Sequence, residues 1–295
     1  MRNELYLCFD IGGTNVKYGV LDREGTFLFQ DKYPTNRQDM AAFVDDFSNT
    51  VHTLSQSYQL TKIGISFPGF INPTTGFAQY AGAFEQLHGT NIVELLSKNV
   101  NIPIVIENDA NCATLAEKIA GNAVNSDHFI CITIGTGIGG GIFVNGGLVN
   151  GYGFKAGEFG LMIVNGMENG YHNMHEIAST SSFIQQYKQI KQLSDDVHVE
   201  GDEVFQSAKQ DPKVNAMLQK WFQYVSFGIF NLAATLNPEK ILIGGAISER
   251  PDLYERLEKT LMTIPSWTDI EAALVPCKHH NEAGMLGALY KCLKS

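Results

Sequence analysis

The chain has 295 residues, of which 44% are hydrophobic and 18% charged. This composition is typical of a folded globular protein, and the length suggests two domains. With 31 Asp and Glu against 21 Lys and Arg, the net charge is -10. An acidic surface repels phosphate backbones and acidic membranes, which disfavours nucleic-acid and membrane binding. No stretch of 18 apolar residues occurs, so we expect no membrane span.

The cysteines and the N-terminus indicate where the protein works. The five cysteines are far apart in sequence, and no Cys-x-x-Cys pair occurs among Cys8, Cys112, Cys131, Cys277 and Cys292. An odd number of scattered cysteines favours buried free thiols in a reducing compartment over disulfides. No small-residue cleavage site follows Met1, so we expect no signal peptide and a cytoplasmic location.

The hydrophobic pattern predicts alternating strands and helices, which is typical of an α/β fold. In chain order the predicted elements are strands over Leu5–Phe9, Asn15–Leu21 and Thr26–Tyr33, a helix over 38–57, strands over Ile63–Phe67 and Ile104–Ile106, a helix from Ala110 to about Ala120, strands over Phe129–Ile134 and Ile142–Val144, a helix over 213–236, a strand over Ile241–Ile243 and a helix over 281–293.

One pattern occurs twice, about 120 residues apart: a buried strand, a loop rich in Gly and Thr, a second strand and a tight turn. The loops are Asp10–Thr14 and Gly135–Gly141. Two copies of one supersecondary unit predict a duplicated fold with two domains around a central cleft. Chance similarity of two glycine-rich hairpins is the alternative.

The second loop, Gly135-x-Gly137-x-x-Gly140, matches the dinucleotide-binding pattern as written. That pattern requires a helix directly after the loop, whereas a strand and the Asn145-Gly146 turn follow here. A Walker A loop would need Gly-Lys-Ser/Thr, which neither loop contains. Both of these nucleotide-binding motifs are therefore excluded.

Two β-hairpin loops can still grip phosphates through backbone N–H groups, which glycine leaves accessible. The hydroxyls of Thr14 and Thr136 would add donors. Asp10, at the tip of the first strand, could hold a hydrated Mg²⁺ beside the phosphates. The alternative is that both loops are only tight hairpins.

Four segments together resemble the ROK family (repressors, open reading frames, kinases): Asp10–Thr14, Glu107–Asn111, Gly135–Gly141 and Gly157–Gly160. The resemblance extends from about residue 5 to about 290. It implies the duplicated actin/hexokinase-like (ribonuclease H-like) fold, with a small domain over 1–118 joined by the C-terminal helix 281–295, and a larger domain over 119–280. It also implies ATP-dependent phosphorylation of a hexose, usually at the 6-hydroxyl.

The resemblance places Asp109 as the catalytic base. A primary alcohol is a poor nucleophile, and a carboxylate within hydrogen-bond reach can take its proton during attack on the γ-phosphorus. The alternative is that Asp109 N-caps a helix beginning at Ala110, and the two roles are compatible.

Most of the remaining site residues follow from the resemblance, whereas Lys17 is a candidate because its charge could assist the phosphates, and the alternative is a solvated residue on the second strand. Gly69, Asn108, Asp109, Glu158 and Glu176 are expected to bind the sugar, although each Glu alone could be a surface charge. ATP and its Mg²⁺ are expected to involve Asp10, Gly12, Gly13, Thr14, Asn15, Lys17, Thr133, Gly135, Thr136, Gly137, Gly139, Gly244 and Gly245.

The chain departs from the family at a structural zinc site made of one His and three Cys. The equivalent positions here are Leu161, Met167, Asn169 and Met174. Since no ligand remains, we expect no structural zinc. His172 and His175 lie in the same stretch and are expected to be surface or capping residues.

The change at Leu161 bears on the substrate, because the family's zinc-bound His contacts the sugar near its anomeric end. Leucine offers no hydrogen bond to a free anomeric hydroxyl, whereas an apolar wall tolerates a substituent at C1. We therefore predict a β-glucoside kinase, with glucokinase and N-acetylmannosamine kinase as alternatives.

Two other classes compete with an enzyme. A sugar-responsive repressor would need a DNA-reading domain, for which no room precedes the loop at Asp10, and the acidic charge also disfavours it. A non-catalytic sugar-binding module would not need Asp10, Asp109 and both glycine loops. The expected partners are a sugar or β-glucoside and a second copy of the chain in a homodimer, with no nucleic acid and no membrane.

Overall fold

The computed structural model describes residues 4–166 and 170–295. Met1, Met167 and Asn169, which entered the predictions above, lie outside these ranges. Within them, no helix has both the length and the apolar character needed to cross a bilayer.

Strands and helices alternate along the described chain, which confirms the α/β class. The strands are β1 (Leu5–Ile11), β2 (Asn15–Leu21), β3 (Phe27–Pro34), β4 (Leu60–Phe67), β5 (Phe70–Ile71), β6 (Phe77–Tyr80), β7 (Thr90–Asn91), β8 (Ile104–Asn108), β9 (Phe129–Ile134), β10 (Ile138–Val144), β11 (Gly147–Leu148), β12 (Ile163–Asn165), β13 (His172–Asn173), β14 (Lys240–Gly244) and β15 (Ala273–Pro276). The helices are α1 (Met40–Ser55), α2 (Ile92–Ser97), α3 (Asp109–Ala120), α4 (Met174–Ala178), α5 (Thr180–Lys191), α6 (Gly201–Ala208), α7 (Pro212–Leu236), α8 (Leu253–Leu261), α9 (Trp267–Ile270) and α10 (Ala283–Lys294).

Two five-stranded sheets share one plan. Their strand orders are β3-β2-β1-β4-β8 and β11-β10-β9-β14-β15. In each sheet the central strand, β1 or β9, pairs antiparallel with the next strand of its hairpin and parallel with a strand that arrives later in the chain. The same order and directions in both sheets confirm the duplicated fold.

The chain forms two compact units. Unit 1 comprises the chain up to Asn125, together with Leu148–Ala156 and Asn281–Ser295. Unit 2 comprises Ser126–Gly147 and Gly157–His280. The sequence did not indicate that the short segment Leu148–Ala156 groups with unit 1.

Unit 1 is a sheet covered by helices on both faces. Alternate residues of β1 belong to different hydrophobic clusters: Leu7 and Phe9 pack with residues of α1 and α2, whereas Tyr6 packs with residues of α3 and α10. Helix α10 approaches α3 closely, since a Cβ on Gly287 would lie 2.0 Å from the Cys112 carbonyl oxygen. This packing supports α3, whose first turn carries Asp109.

Unit 2 has one large core built around α7. Asp211 caps this helix by accepting hydrogen bonds from the N–H groups of Lys213 and Val214, and Pro212 occupies its first turn. Trp221 is buried and donates its indole N–H to the Ser179 carbonyl at 3.1 Å. This bond ties α7 to the residue that precedes α5, and α5 borders the site described below.

The predicted loop over Gly135–Gly141 is wrong in its second half, because β10 begins at Ile138. Gly139 pairs with Thr133 of β9, so strand pairing outweighs the low strand propensity of glycine. A Cβ on Gly140 would lie 2.3 Å from the Cys131 carbonyl oxygen and 2.5 Å from the Phe159 ring. Close packing therefore explains why position 140 requires a glycine.

The first loop is also shorter than predicted, since β1 continues through Asp10 to Ile11. All five cysteines are buried as free thiols. Burial raises the pKa of Cys8 and Cys112 well above the usual range of a thiol, so both stay protonated and unreactive.

Candidate active site

The end of β8 and the start of α3 place the predicted catalytic carboxylate. Asn108 is the N-cap of α3, and its Oδ1 accepts the Asn111 N–H at 3.0 Å. The predicted capping role of Asp109 is therefore wrong: Asp109 is the first helical residue. The Asn108 amide Nδ2 donates to Asp109 Oδ1 and to the Gly69 carbonyl, both at 2.9 Å.

The Asp109 side chain is exposed and held in one orientation. Its Oδ1 accepts the Ala110 N–H at 2.9 Å as well as the Asn108 amide. A carboxylate in the first turn of a helix is stabilised by the helix dipole. The arrangement presents an oriented proton acceptor at the surface of unit 1.

Gly69 adopts a backbone conformation that only glycine tolerates here. Its φ is 108°, and a Cβ would lie 2.1 Å from the Tyr80 carbonyl oxygen. The structure thus brings together three of the predicted sugar-binding residues, Gly69, Asn108 and Asp109.

Glu107 supports this arrangement, although the sequence gave it no role. Its carboxylate is fully buried, with Oε2 3.0 Å from Lys291 Nζ. Oε1 accepts from the Asn108 N–H and the Asn111 amide at 3.0 Å each, and from the Asn150 amide at 3.2 Å. Glu107 therefore links β8, α3 and α10, and only the tertiary structure shows this.

Asp10 is held near the end of β1 by a hydroxyl and a cation. Ser66 donates to Asp10 Oδ1 at 2.9 Å, and Lys17 Nζ lies 3.7 Å from Oδ2. Burial raises the pKa of Asp10, and the Ser66 hydrogen bond and Lys17 partly oppose that rise. Lys17 also donates to Asn281 Oδ1 at 3.3 Å, so this predicted phosphate ligand is engaged within unit 1.

In the turn after β1, both backbone polar groups of Gly12 are already engaged in hydrogen bonds within unit 1. The Gly12 N–H donates to the Asn15 carbonyl at 3.0 Å, and the Thr35 hydroxyl donates to the Gly12 carbonyl at 2.7 Å. Phosphate contacts from this turn would therefore come from Gly13 and Thr14.

The matching turn of unit 2, Gly135–Gly137, is held from outside by the start of α5. The Gly135 N–H donates to the Gly137 carbonyl at 2.9 Å. The Thr180 N–H donates to the Gly135 carbonyl at 2.8 Å, and the Ser181 hydroxyl donates to the Thr136 carbonyl at 2.6 Å. With three carbonyls turned toward these donors, the N–H groups of Thr136 and Gly137 are the turn's candidates for an anion.

His175 completes the support of this turn. Its Nδ1 accepts the Ile138 N–H at 2.9 Å, and the ring lies against Gly137 and Gly160, where added Cβ atoms would come within 3.0 and 2.3 Å of it. The sequence predicted only a surface or capping role for His175, and nothing in its local pattern indicated this contact.

Three of the predicted nucleotide residues form one row across the second sheet. Thr133 pairs with Gly139 on one side and with Gly244 on the other. The next residue, Gly245, has a φ of 90°, and a Cβ there would lie 2.2 Å from the Ile134 carbonyl oxygen. This turn can only be built with glycine.

A cavity of about 490 Å³ in unit 2 adjoins these turns, and the sequence did not predict it. Thr180, which binds Gly135, lines one side, and Ala246 and Ile247, which follow Gly245, line another. The volume lies within the range of small-molecule sites and is sufficient for a nucleoside.

The two predicted sugar-binding glutamates occupy different settings. Glu158 is half-buried in a turn that follows Gly157, whose φ is 92°. Glu176 is exposed and forms a capping box with Asn173, in which each side chain accepts the other's backbone N–H at 3.1 Å. Glu176 thus satisfies the start of α4 as well as being a candidate for a sugar hydroxyl.

The segment equivalent to the family's zinc site contains apolar side chains. Leu161 is 58% exposed, whereas Met174 is completely buried. Across residues 4–166 and 170–295, no group of three or more His, Cys, Asp or Glu side chains is placed to hold a metal ion.

A duplicated α/β fold with a glycine-rich turn in each unit defines the chain as a protein of the actin/hexokinase-like class. The family model described as the ROK family matches residues 6–294, and the chain belongs to that family. The predicted family and fold class are confirmed.

Three known proteins resemble the chain over nearly its whole length. A β-glucoside kinase of Listeria innocua is 35% identical over 295 residues, which cover 97% of this chain and 96% of that protein. A structure from Listeria monocytogenes, described as a suggested N-acetylmannosamine kinase, is 32% identical in sequence and superposes with a TM-score of 0.89. The match covers 98% of this chain and 99% of that protein's chain. A Streptomyces griseus ROK glucokinase in complex with glucose and AMPPNP is 26% identical with a TM-score of 0.77, covering 97% and 98%.

Proposed function

We propose that the protein is a kinase that transfers the γ-phosphoryl group of ATP to the 6-hydroxyl of a β-glucoside. The observation that carries the proposal is the exposed Asp109 carboxylate, oriented by Asn108 and Ala110 beside Gly69. The identity with the Listeria β-glucoside kinase over nearly the whole chain supports it. Glucokinase and N-acetylmannosamine kinase activities are the alternatives.

Asp109 accepts the proton of the sugar hydroxyl as that oxygen attacks the γ-phosphorus. The hydrogen bonds to Oδ1 keep the carboxylate in place, so reaction requires little reorganisation of the protein. The Asn108 side chain keeps the Gly69 loop and Asp109 together. Glu158 and Glu176 would bind further hydroxyls.

The nucleotide is bound by neutral backbone donors. We assign the phosphates to the N–H groups of Gly13 and Thr14 in unit 1 and of Thr136 and Gly137 in unit 2. The nucleoside would occupy the cavity that Thr180 lines. Backbone donors bind anions without a local cluster of cations, which agrees with a chain whose net charge is -10.

Asp10 is the residue suited to Mg²⁺. A partly exposed carboxylate, 23% accessible, offers the hard oxygen ligand that this cation prefers, directly or through water. When bound, Mg²⁺ supplies neutralisation of the phosphate charge. Lys17, 3.7 Å from Asp10, would turn from its carboxylate toward a phosphate oxygen.

The preference for a β-glucoside rests on Leu161. Its exposed side chain occupies the position where the family pattern has a histidine, and it forms no hydrogen bond with an anomeric hydroxyl. A hydroxyl buried against it would lose a water partner without replacement, whereas a glycosidic substituent would not. The homodimer and the cytoplasmic location stay predictions.

The experiment is ADP release with ATP and cellobiose, comparing the wild type with Asp109→Asn. The amide oxygen of Asn can still accept from Ala110, so the fold is preserved while the base is lost. We expect kcat to fall about 10²- to 10⁴-fold, the usual contribution of a general base.

Asp45→Asn, an exposed carboxylate on α1, is the matched control and should leave kcat unchanged. Full turnover by Asp109→Asn would show that Asp109 is not the general base of the reaction. No turnover of cellobiose, glucose or N-acetylmannosamine by the wild type would refute the kinase proposal.

A further inference from the structure

Unit 1 contains a second, larger cavity of about 680 Å³. Its walls come from the stretch after β3 and from the stretch between β6 and α2. The side chains that matter below are Arg37, Gln38, Tyr80, Glu85 and Gln86.

This cavity adjoins the part of unit 1 that contains Gly69, Asn108 and Asp109. Tyr80 lines it, and the Tyr80 carbonyl oxygen packs so closely on Gly69 that a Cβ there would lie 2.1 Å away. The Gly69 carbonyl accepts from the Asn108 amide, which also donates to Asp109. Two direct contacts therefore join the cavity wall to the residues beside the proposed base.

One wall is a supported aromatic surface. The Tyr80 ring stacks on His88 with centroids 4.7 Å apart and tilts against Phe70 at 5.5 Å. Tyr80 nevertheless remains 45% exposed. A fixed, exposed aromatic ring offers apolar contact to the C–H face of a pyranose, at little cost in side-chain entropy.

Apart from Tyr80, Gly82 and Ala83, the lining is polar, with both donors and acceptors. The Gln86 amide Nε2 donates to the Gln38 carbonyl at 2.9 Å, which fixes the amide and leaves its Oε1 as an acceptor. Arg37 adds donors and Glu85 adds acceptors, and their charges cancel. A lining with no net charge suits a neutral, hydroxyl-rich ligand better than a phosphate.

We infer that this cavity is the subsite for the second sugar ring of a β-glucoside whose first ring presents its 6-hydroxyl to Asp109. The inference rests on the proposed function and adds the part of the chain that recognises the aglycone. Tyr80 packs on the second ring, and Gln86 binds its hydroxyls.

The test compares cellobiose with glucose as acceptors for Tyr80→Ala and, separately, Gln86→Ala. We expect kcat/KM for cellobiose to fall at least about tenfold with Tyr80→Ala and several-fold with Gln86→Ala, whereas kcat/KM for glucose changes less than about twofold. Phe77→Ala is the matched control: this aromatic residue of the same strand is 42% exposed but does not line the cavity. It should leave both substrates unchanged.

Calorimetric titration of cellobiose into the same proteins without ATP gives a readout independent of turnover, and thermal unfolding checks that each variant is folded. Weaker cellobiose binding in both cavity variants, with no change in Phe77→Ala, supports the subsite. Unchanged cellobiose binding and turnover in both, or equal losses for cellobiose and glucose, would overturn it. A wild type that phosphorylates glucose but not cellobiose would refute the proposed substrate, and the titration would still test the subsite.

Discussion

His175 Nδ1 accepts the backbone N–H of Ile138 at 2.9 Å and so joins α4 to the first residue of β10. Because Nδ1 is the acceptor, the neutral ring carries its proton on Nε2. The bond closes one end of the Gly135–Gly137 turn, whose other end is held by Thr180. His175 is thus a positioning residue for the proposed phosphate contacts of unit 2.

Replacing His175 by Leu should weaken nucleotide binding more than catalysis. Leu leaves the Ile138 N–H without its acceptor, a loss that typically costs about 1–3 kcal/mol. We expect KM for ATP to rise about five- to tenfold with kcat changed less than twofold, measured by ADP release at varied ATP.

His175→Asn is the conservative control, since Asn Oδ1 can take the place of Nδ1 and should restore most of the affinity. Equal KM values for ATP in the wild type and His175→Leu would contradict a positioning role. Equal losses in the Leu and Asn variants would show that the hydrogen bond is not what matters.

Asp10→Asn should separate stability from activity. Burial raises the pKa of Asp10 in the folded protein above its value of 3.8 in the unfolded chain, so the folded state binds this proton more tightly. The carboxyl's contribution to stability is therefore fully present below pH 3.8 and is lost as the pH rises through the folded-state value. At neutral pH the ionised group destabilises the fold, and Asn relieves this while still accepting from Ser66.

We expect Asp10→Asn to have a higher Tm than the wild type at pH 7, and a smaller difference toward pH 4, by calorimetry across that range. The kcat/KM should fall on the order of 100-fold, because the proposed Mg²⁺ contact is lost. A lower Tm at pH 7, or a difference that grows toward pH 4, would show that the charge of Asp10 stabilises the fold.

The buried Glu107 predicts a strong effect of its partner Lys291, far away in sequence. Lys291→Met leaves the Glu107 carboxylate, fully buried, without its cation, and should lower the free energy of unfolding by about 3 kcal/mol. Urea denaturation measures this loss. Lys294→Met, at an exposed position of the same helix, should change stability by less than about 0.5 kcal/mol.

Adding Glu107→Gln to Lys291→Met removes the buried charge and should recover part of the loss. Identical denaturation midpoints for Lys291→Met and Lys294→Met would show that the pair does not stabilise unit 1.

Leu161→His should shift substrate preference toward glucose. The imidazole can hydrogen-bond a free anomeric hydroxyl, and one such bond contributes about 0.5–1.5 kcal/mol. We expect the ratio of kcat/KM for glucose to that for cellobiose to rise about two- to tenfold. Leu161→Met, which keeps an apolar side chain, is the control. An unchanged ratio in the His variant would show that Leu161 does not determine the preference for a substituted anomeric oxygen.

Local pattern was sufficient for the elements that have one clear period or boundary. The predicted strand over Asn15–Leu21 matches β2 at both ends. The predicted helix over 213–236 starts one residue later than α7 and ends at the same residue. Local pattern was insufficient where pairing or capping choices compete. Gly139 lies in a strand because β9 pairs with it. Asn108 rather than Asp109 caps α3, and the Asn108 amide also binds the distant Gly69.

The site divides in the same way. The roles of Asn108 and Asp109 came from the family resemblance, and the segments around Asp10 and Gly135–Gly137 were identified from residue type and order, because phosphate binding restricts what can occupy them. His175, Glu107 with Lys291, and the cavity beside Tyr80 were not. Each depends on atoms brought together from distant parts of the chain.

Short-range spacing in the sequence indicated the α/β class and the duplication, and the resemblance to a known family gave the family and the candidate base. The tertiary structure alone decided which N–H groups the two turns use internally, what holds them, and where a cavity adjoins Gly69. Hydrogen bonds and packing between distant segments depend on distances of a few ångströms, and the order of residues along a chain does not specify them.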